Sequence, residues 1–170
     1  MWAFDGSRRP RFAAAPGPGQ ESVWDYPRPP RLVPDDRHVT VSAGGVPVAS
    51  TRRALRLLET ASPPSFYLPV ADIDMRLLVA APGSSYCEWK GTASYWQLAA
   101  SPGTGPVAWC YADPAAAFGA IRDHLAFYPA RVDCHVDGER VRPQPGGFYG
   151  GCITREIVGP FKGEPGTSHW

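Results

Sequence analysis

The sequence predicts a mainly β (α+β) fold, a small and mostly antiparallel β domain that also contains two short helices. Three observations favour this class. Pro and Gly contribute 20 and 18 of the 170 residues, which favours short elements joined by many turns. Aromatic residues make up 12% of the chain, and aromatic side chains are enriched in strands. Short runs of alternating apolar and polar residues end at turn signals such as Gly44-Gly45 and Asp137-Gly138.

Three segments are expected along the chain. They are a Pro/Gly/Arg-rich N-terminal arm over residues 1–37, the β domain over 38–141, and a Gly/Pro-rich C-terminal extension over 142–170 that packs on the domain. Prolines exclude a helix from the arm and favour extended backbone. Trp24 and Tyr26 are costly to leave in water, so the arm either lies across the domain surface or is disordered.

The elements of the β domain follow from local patterns. Alternation over 39–43 and 46–50 predicts a hairpin, with which regular structure begins at His38. A short helix is then predicted through Glu59, because a hydroxyl residue can cap it and its leucines can face a core. The clearest helix is predicted over about 114–126, where an aspartate and a proline give a start signal. Further strands are predicted over 65–68, 75–81, 84–99 (two strands hinged near Lys90-Gly91), 107–111 (with Trp109 and Tyr111 on one face), 132–136, 139–141 and 152–158.

Charge and cysteine usage limit the class of protein. The formal net charge is +1, from 17 basic and 16 acidic residues, which argues against a nucleic-acid-binding protein. No apolar run approaches the roughly 20 residues that cross a bilayer, and the N-terminus lacks the apolar region of a secretory signal. Reduced, mostly buried thiols are expected at Cys87, Cys110, Cys134 and Cys152. We therefore expect a cytoplasmic monomer or homodimer that needs no cofactor and contacts no membrane.

The chemically richest stretch is Tyr86 to Trp96, which combines a thiol, a carboxylate, a lysine and four aromatic side chains. Glu88 and Lys90 are two residues apart and would point to the same face of a strand. Either they form an exposed ion pair of little worth, or Lys90 projects into a pocket and binds an anion or a carbonyl group. In an enzyme, Lys90 would be the electrophilic or Schiff-base group, and Glu88 or Tyr95 the proton carrier. The walls of the pocket would be Tyr67, Tyr95, Trp109 and Tyr111.

Other motifs give weaker signals. The glycine-rich stretch 146–151 is interpreted as a turn, because a phosphate-binding loop would open a helix and prolines precede this one. Asp72 and Asp74 could hold a divalent metal for nucleotidyl transfer, but two acids in a polar turn is the preferred interpretation. The Asp-Cys-His sequence at 133–135 lies on a predicted strand, where neighbours point to opposite faces and cannot form a dyad. No metal site is expected.

Four motifs together resemble the domain of unknown function family 427. They are Tyr67-Leu68-Pro69, Cys87-Glu88-Trp89-Lys90-Gly91-Thr92-Ala93-Ser94-Tyr95-Trp96, Trp109-Cys110-Tyr111 and Phe127-Tyr128-Pro129. The resemblance covers about 38–141, with Glu88-Trp89 replacing the proline and aromatic residue of the commoner pattern. The Pro-Gln-Pro-Gly-Gly-Phe-Tyr-Gly-Gly end resembles actinobacterial members.

This resemblance implies a compact β-tent-like fold, similar to methionine sulfoxide reductase B without its zinc knuckles, and no known activity. The family also carries a nucleotidyltransferase-like label, which the weak Asp72 and Asp74 signal does not support. By position, the residues that match the family are Tyr67, Cys87, Lys90, Gly91, Tyr95, Trp96, Trp109, Tyr111 and Tyr128. Of these, we expect ligand binding by Tyr67, Cys87, Lys90, Trp96, Trp109, Tyr111 and Tyr128.

The leading hypothesis is therefore a small-molecule-binding β domain with an aromatic-walled pocket around Lys90, and the residues leave open whether it is an enzyme. The alternative is a protein interaction module that uses the N-terminal arm and the Gly-Phe-Tyr-Gly loop. A second alternative is a metal-dependent nucleotidyltransferase.

Overall fold

The computed structural model describes residues 2–170, which form fifteen short strands. In chain order these are β1 (Glu21–Ser22), β2 (Arg31–Asp35), β3 (Val39–Ala43), β4 (Val46–Thr51), β5 (Ala54–Glu59), β6 (Ser62–Pro69), β7 (Leu78–Cys87), β8 (Gly91–Leu98), β9 (Ala108–Cys110), β10 (His124–Phe127), β11 (Asp133–Val136), β12 (Glu139–Arg140), β13 (Arg142–Pro143), β14 (Cys152–Ile153) and β15 (Ile157–Val158). Helical structure within residues 2–170 is limited to short 3-10 segments at Val23–Asp25, Val70–Asp72, Met75–Leu77 and Ala116–Ile121. No helix in this range has the length and apolarity to cross a bilayer.

Two sheets dominate the architecture. The larger has seven strands in the order β2-β5-β6-β10-β9-β8-β7, all paired antiparallel. The smaller has four strands in the order β12-β11-β3-β4. Two short ladders lie outside these sheets. The parallel pair β1-β15 joins the N-terminal arm to the C-terminal segment, and the antiparallel pair β13-β14 lies within that segment. The prediction of a mainly β, mostly antiparallel fold is confirmed.

Alternating side chains give the larger sheet two buried faces. In β6, Phe66 and Leu68 belong to the core between the two sheets, whereas Tyr67 belongs to a separate core on the opposite face. The strands β9 and β10 repeat the pattern, because successive side chains of a strand point to opposite sides. We call the second group the aromatic core; it contains Leu57, Tyr67, Ala93, Trp109, Tyr111, Phe118, Ile121, Ala126 and Tyr128.

The N-terminal arm packs on the domain. Trp24 is completely buried, and its Nε1 donates a hydrogen bond to the Pro160 carbonyl at 2.9 Å. Phe4 and Phe12 pack edge-on against the Trp24 indole, with ring centroids 5.1 and 5.0 Å from it. Of the two alternatives for the arm, the structure therefore has the docked one. Strand β2 also belongs to the larger sheet, so regular structure begins before His38.

The helix predicted through Glu59 is wrong: the segment is the strand β5, paired with β2 on one side and β6 on the other. Its apolar side chains point to opposite faces of the sheet. Leu55 and Leu57 contact the aromatic core, whereas Leu58 contacts the residues of the arm. Because both faces of β5 are covered, the strand has an almost continuous apolar run that looks helical in sequence.

The helix predicted over 114–126 is also wrong for most of its length. Only Ala116–Ile121 is helical, as a 3-10 segment, and His124–Phe127 is strand β10. β10 pairs with β6 and β9 at the middle of the larger sheet, and that tertiary pairing overrides the local helix signals.

Both predicted hairpin turns are present. Gly44 and Gly45 have φ values of 55° and 81° between β3 and β4. Asp137 and Gly138 have φ values of 46° and 80° between β11 and β12, as a two-residue hairpin turn requires. Cys134, on strand β11 of the smaller sheet, points into the core between the sheets, as expected for a buried thiol.

Candidate functional site

A cavity of about 490 Å³ opens on the aromatic face of the larger sheet. Its floor is built by Tyr67 of β6, Trp109 of β9 and Tyr128 at the end of β10. The Trp109 Nε1 donates a hydrogen bond to the Tyr67 hydroxyl at 3.2 Å, and the Trp109 and Tyr128 ring centroids are 4.6 Å apart. Three adjacent strands thus hold a fixed aromatic surface, with Tyr111 and Tyr95 at its sides.

Lys90 lies in this cavity on the turn that connects β7 to β8. Gly91 ends the turn with a φ of 99°, a conformation that favours glycine. The Lys90 carbonyl accepts a hydrogen bond from the Ala115 backbone amide at 3.0 Å, which fixes the turn. The side chain is buried, with 6% of the residue exposed, and its Nζ is 5.5 Å from the Tyr111 ring centroid. Within residues 2–170, Nζ forms no salt bridge and no hydrogen bond.

The predicted relation between Glu88 and Lys90 is wrong, because the two residues lie in a turn and not on a strand. Glu88 is exposed at the edge of the cavity, and its carboxylate accepts a hydrogen bond from Trp2 Nε1 at 2.6 Å. Lys90 points inward without a carboxylate. The alternative of an exposed ion pair between them is therefore not what the chain forms.

Three tyrosines of the cavity, Tyr67, Tyr111 and Tyr128, keep their protons. Burial raises the pKa of Tyr67 and of Tyr111, and the neighbouring Cys87 raises the pKa of Tyr111 further. Burial and the nearby Tyr95 raise the pKa of Tyr128 to about 12. These phenols are consequently neutral near pH 7 and can donate hydrogen bonds to a ligand, but they cannot serve as bases.

Tyr95 and Trp96, two further predicted site residues, point to opposite faces of β8. The Tyr95 hydroxyl lies in the cavity wall and donates to Ser85 Oγ at 2.6 Å. Trp96 points to the other face of β8, packs against the core between the sheets, and donates through Nε1 to Cys110 Sγ at 3.3 Å. The assignment of Trp96 to the ligand site is therefore corrected, since its neighbour Tyr95 takes the cavity face. Cys87, half-buried, lines the cavity as a free thiol.

A second lysine, which the sequence did not predict, lines the same cavity. Lys162 is 4% exposed; its Nζ donates to the Trp170 backbone oxygen at 3.0 Å and lies 3.9 Å from the Trp2 ring centroid. Burial, and secondarily the positive charge of Arg28, lower the pKa of Lys162. The chain has only these two lysines, and both border the cavity. No local pattern could find Lys162 or Trp2, because the chain ends reach the site through long-range packing.

The glycine-rich loop 145–151 closes one side of the cavity. Gln144 anchors it: its Oε1 accepts from the Gly151 amide at 3.1 Å, and its Nε2 donates to the Lys162 carbonyl at 2.8 Å. Gly150 lies against the Trp109 ring. The glycines therefore allow close backbone packing, in agreement with the interpretation of the stretch as a turn.

The two aspartates considered for metal binding are each engaged by an arginine. Asp72 accepts hydrogen bonds from Arg53 at 2.7 Å and from the Thr51 hydroxyl at 2.6 Å. Asp74 accepts from Arg76 at 2.8 Å through both carboxylate oxygens. The negative charge of each carboxylate is balanced by its arginine. Asp72 lies in one 3-10 segment and Asp74 caps the next, and neither residue lines the cavity.

These features define a small, mainly β protein with an aromatic-walled cavity around a buried lysine. The family model for "Domain of unknown function (DUF427)" matches residues 31–138, and the protein belongs to this family. The resemblance seen in the sequence is thereby confirmed at the level of the family. The matched segment includes Lys90 and the aromatic floor, whereas Trp2, Lys162 and the loop 145–151 lie outside it. No curated protein matches the chain.

Proposed function

We propose that the protein binds a small organic molecule in this cavity, with an anionic or carbonyl group of the molecule held by the Lys90 ammonium. One observation carries the proposal: Lys90 is 6% exposed, and within residues 2–170 its Nζ has no anionic partner. Burying a charge is costly unless the charge is paired. An acidic ligand would supply the missing counter-charge and offset that cost.

The surroundings of Lys90 suit an organic anion more than a small inorganic one. A volume of about 490 Å³ falls within the range of sites for drug-sized ligands. Tyr67, Trp109 and Tyr128 offer an aromatic surface to the apolar body of an organic ligand. The neutral hydroxyl of Tyr111, beside Lys90, would add a hydrogen bond to an oxygen of the ligand.

If the ligand carries a carbonyl group, the same site would allow a covalent reaction with Lys90. The Lys90 amine would add to an aldehyde or ketone carbon, and loss of water would leave an imine. Tyr95, in the cavity wall, is the better of the two predicted proton carriers, because the Glu88 carboxylate is exposed and already accepts from Trp2. Borohydride would reduce such an imine to a stable secondary amine, which mass spectrometry of peptides would locate at Lys90.

The alternative role as an interaction module has less support. Trp24 and Tyr26 of the arm are buried in the domain and offer no surface to a partner, which leaves Phe12 and Trp2 as its exposed aromatic residues. Phe148 and Tyr149 of the loop remain exposed, but both also line the cavity. These contacts favour a small ligand over a protein partner.

Calorimetric titration with 2-naphthoate and its neutral amide, 2-naphthamide, tests the proposal. The acid should bind at least about tenfold more tightly than the amide, as expected for a charge-assisted contact. In Lys90→Met this preference should disappear while the melting temperature stays nearly unchanged. Arg76→Met is the matched control, because the Arg76 side chain is 90% exposed on a distant turn. Equal binding of acid and amide, or an unchanged preference in Lys90→Met, would contradict the proposal.

A further inference from the structure

Exposed aromatic side chains surround the mouth of the cavity. Tyr86 on β7 is 77% exposed, and Phe148 and Tyr149 on the loop 145–151 are 67% and 40% exposed. All three line the cavity, so they continue the aromatic floor outward on two different elements. Large exposed apolar groups that adjoin a binding cavity are typical of a surface that a ligand covers.

The loop holds its two aromatic side chains in defined positions. The Phe148 and Tyr149 rings pack edge-to-face, with centroids 5.0 Å apart. The base of the loop is packed so closely that a Cβ atom on Gly146 would lie 2.2 Å from the Gly163 carbonyl oxygen. On the other side, Gly150 lies against Trp109 of the floor. The loop that carries Phe148 and Tyr149 is therefore held against Trp109 of the cavity floor.

Charge is distributed unequally between the interior and the mouth. Lys90, without an anionic partner in residues 2–170, lies inside, whereas the Glu88 carboxylate lies exposed at the edge and is bound by Trp2. An acidic group would therefore be attracted inward. An apolar group would be favoured at the mouth, where the side chains of Tyr86 and Phe148 are exposed.

We infer that the ligand is an extended aromatic acid, whose acid group binds Lys90, whose first ring lies on the aromatic floor, and whose outer ring contacts Tyr86 and Phe148. This inference rests on the proposed function and adds the length and orientation of the ligand to it. A compound with one ring would leave the rim uncovered. A compound with two rings in line has a second ring to place against Tyr86 and Phe148.

The test uses a series of acids that differ in length, namely benzoate and 4-biphenylcarboxylate, titrated into the full chain. The longer acid should bind about tenfold more tightly, as expected for one more buried ring. Tyr86→Ala and Phe148→Ala should each remove most of this gain and leave the dissociation constant of benzoate unchanged. Val79→Ala, another exposed apolar residue on β7, is the control and should leave both affinities unchanged.

The outcomes separate this inference from the proposed function. If benzoate binds in a Lys90-dependent way but 4-biphenylcarboxylate binds no better, the inference fails and the proposed function stands. It also fails if Phe148→Ala and Tyr86→Ala weaken both acids equally. If neither acid binds the wild-type protein, both proposals fail together.

Discussion

Gly150 lies so close to the indole of Trp109 that a Cβ atom on it would be 2.3 Å from the ring carbons Cη2 and Cζ3. Atoms never approach that closely without a bond, so glycine is required where the loop 145–151 meets the cavity floor. This close packing is the reason for a glycine at position 150. The residue does not have a left-handed backbone conformation, and the loop is not a phosphate-binding loop. The close packing also ties the loop to the aromatic core.

Gly150→Ala should force the loop away from Trp109 and lower the free energy of unfolding by about 1–3 kcal/mol, the usual cost of overpacking. Urea unfolding measures this change. Gly119→Ala is the matched control: a Cβ atom there meets no atom within 4 Å, so its stability should stay within about 0.5 kcal/mol of wild type. Equal stabilities of the two variants would show that the loop does not pack on Trp109.

Trp24→Ala should destabilise the protein by about 3–5 kcal/mol, because it empties a completely buried site and removes the hydrogen bond to Pro160. The midpoint of urea unfolding is the measurement. Trp2→Ala is the control, since Trp2 is 36% exposed and its removal should cost much less. A small effect of Trp24→Ala would mean that the arm adds little to the stability of the fold.

The clearest strand predictions were those in which an alternating run leads into a turn signal. Alternation and a two-residue turn were sufficient for the hairpins at Gly44-Gly45 and Asp137-Gly138. They failed for β5, where Leu57 and Leu58 enter different cores and the apolar run resembles a helix. Pro63 and Pro64 lie on the facing strand β6. They are tolerated in β6 because the pairing with β5 is irregular at that point.

The candidate site was predictable in its centre and not at its edges. Alternation along β6 and β9 places Tyr67 and Trp109 on one face, and both line one cavity with Tyr111. Lys90, on the turn before β8, lines the same cavity. Lys162 comes from the other end of the chain, and its position depends on how the whole chain closes. Local sequence patterns carry no information on such long-range contacts.

Stability should fall in acid because of the ion pairs around Arg37. Burial alone would raise the pKa of Asp35, but hydrogen bonds from Arg37 outweigh it and the pKa is lowered. Burial is likewise outweighed at Glu156 by hydrogen bonds with Thr154 and Arg37, so its pKa is lowered too. Both carboxyls thus bind protons more weakly in the folded chain than in the unfolded one. Their contribution is complete above the unfolded values, roughly pH 4, and is lost as the pH falls through the lowered folded values.

Urea unfolding from pH 7 to pH 3 measures this dependence. Asp35→Asn should lower the free energy of unfolding by roughly 1–3 kcal/mol at pH 7 and flatten its decline below about pH 4. Asp36→Asn, at an exposed neighbouring position, should change neither. A decline in Asp35→Asn as steep as in wild type would exclude Asp35 as a source of the acid sensitivity.

The two lysines should be protected from amine-selective acetylation, because Lys90 and Lys162 are only 6% and 4% exposed. Under native conditions each should react with an N-hydroxysuccinimide ester at least about tenfold more slowly than in denaturing urea, because in the folded chain the reagent reaches either amine only through the cavity that both lysines border. Peptide mass spectrometry resolves the two sites. Adding 2-naphthoate should slow acetylation of Lys90 further in the native protein and have no effect in urea. Native acetylation of Lys90 as fast as in urea would show that its amine is not enclosed by the cavity, and an unchanged rate with 2-naphthoate would contradict the proposed ligand site.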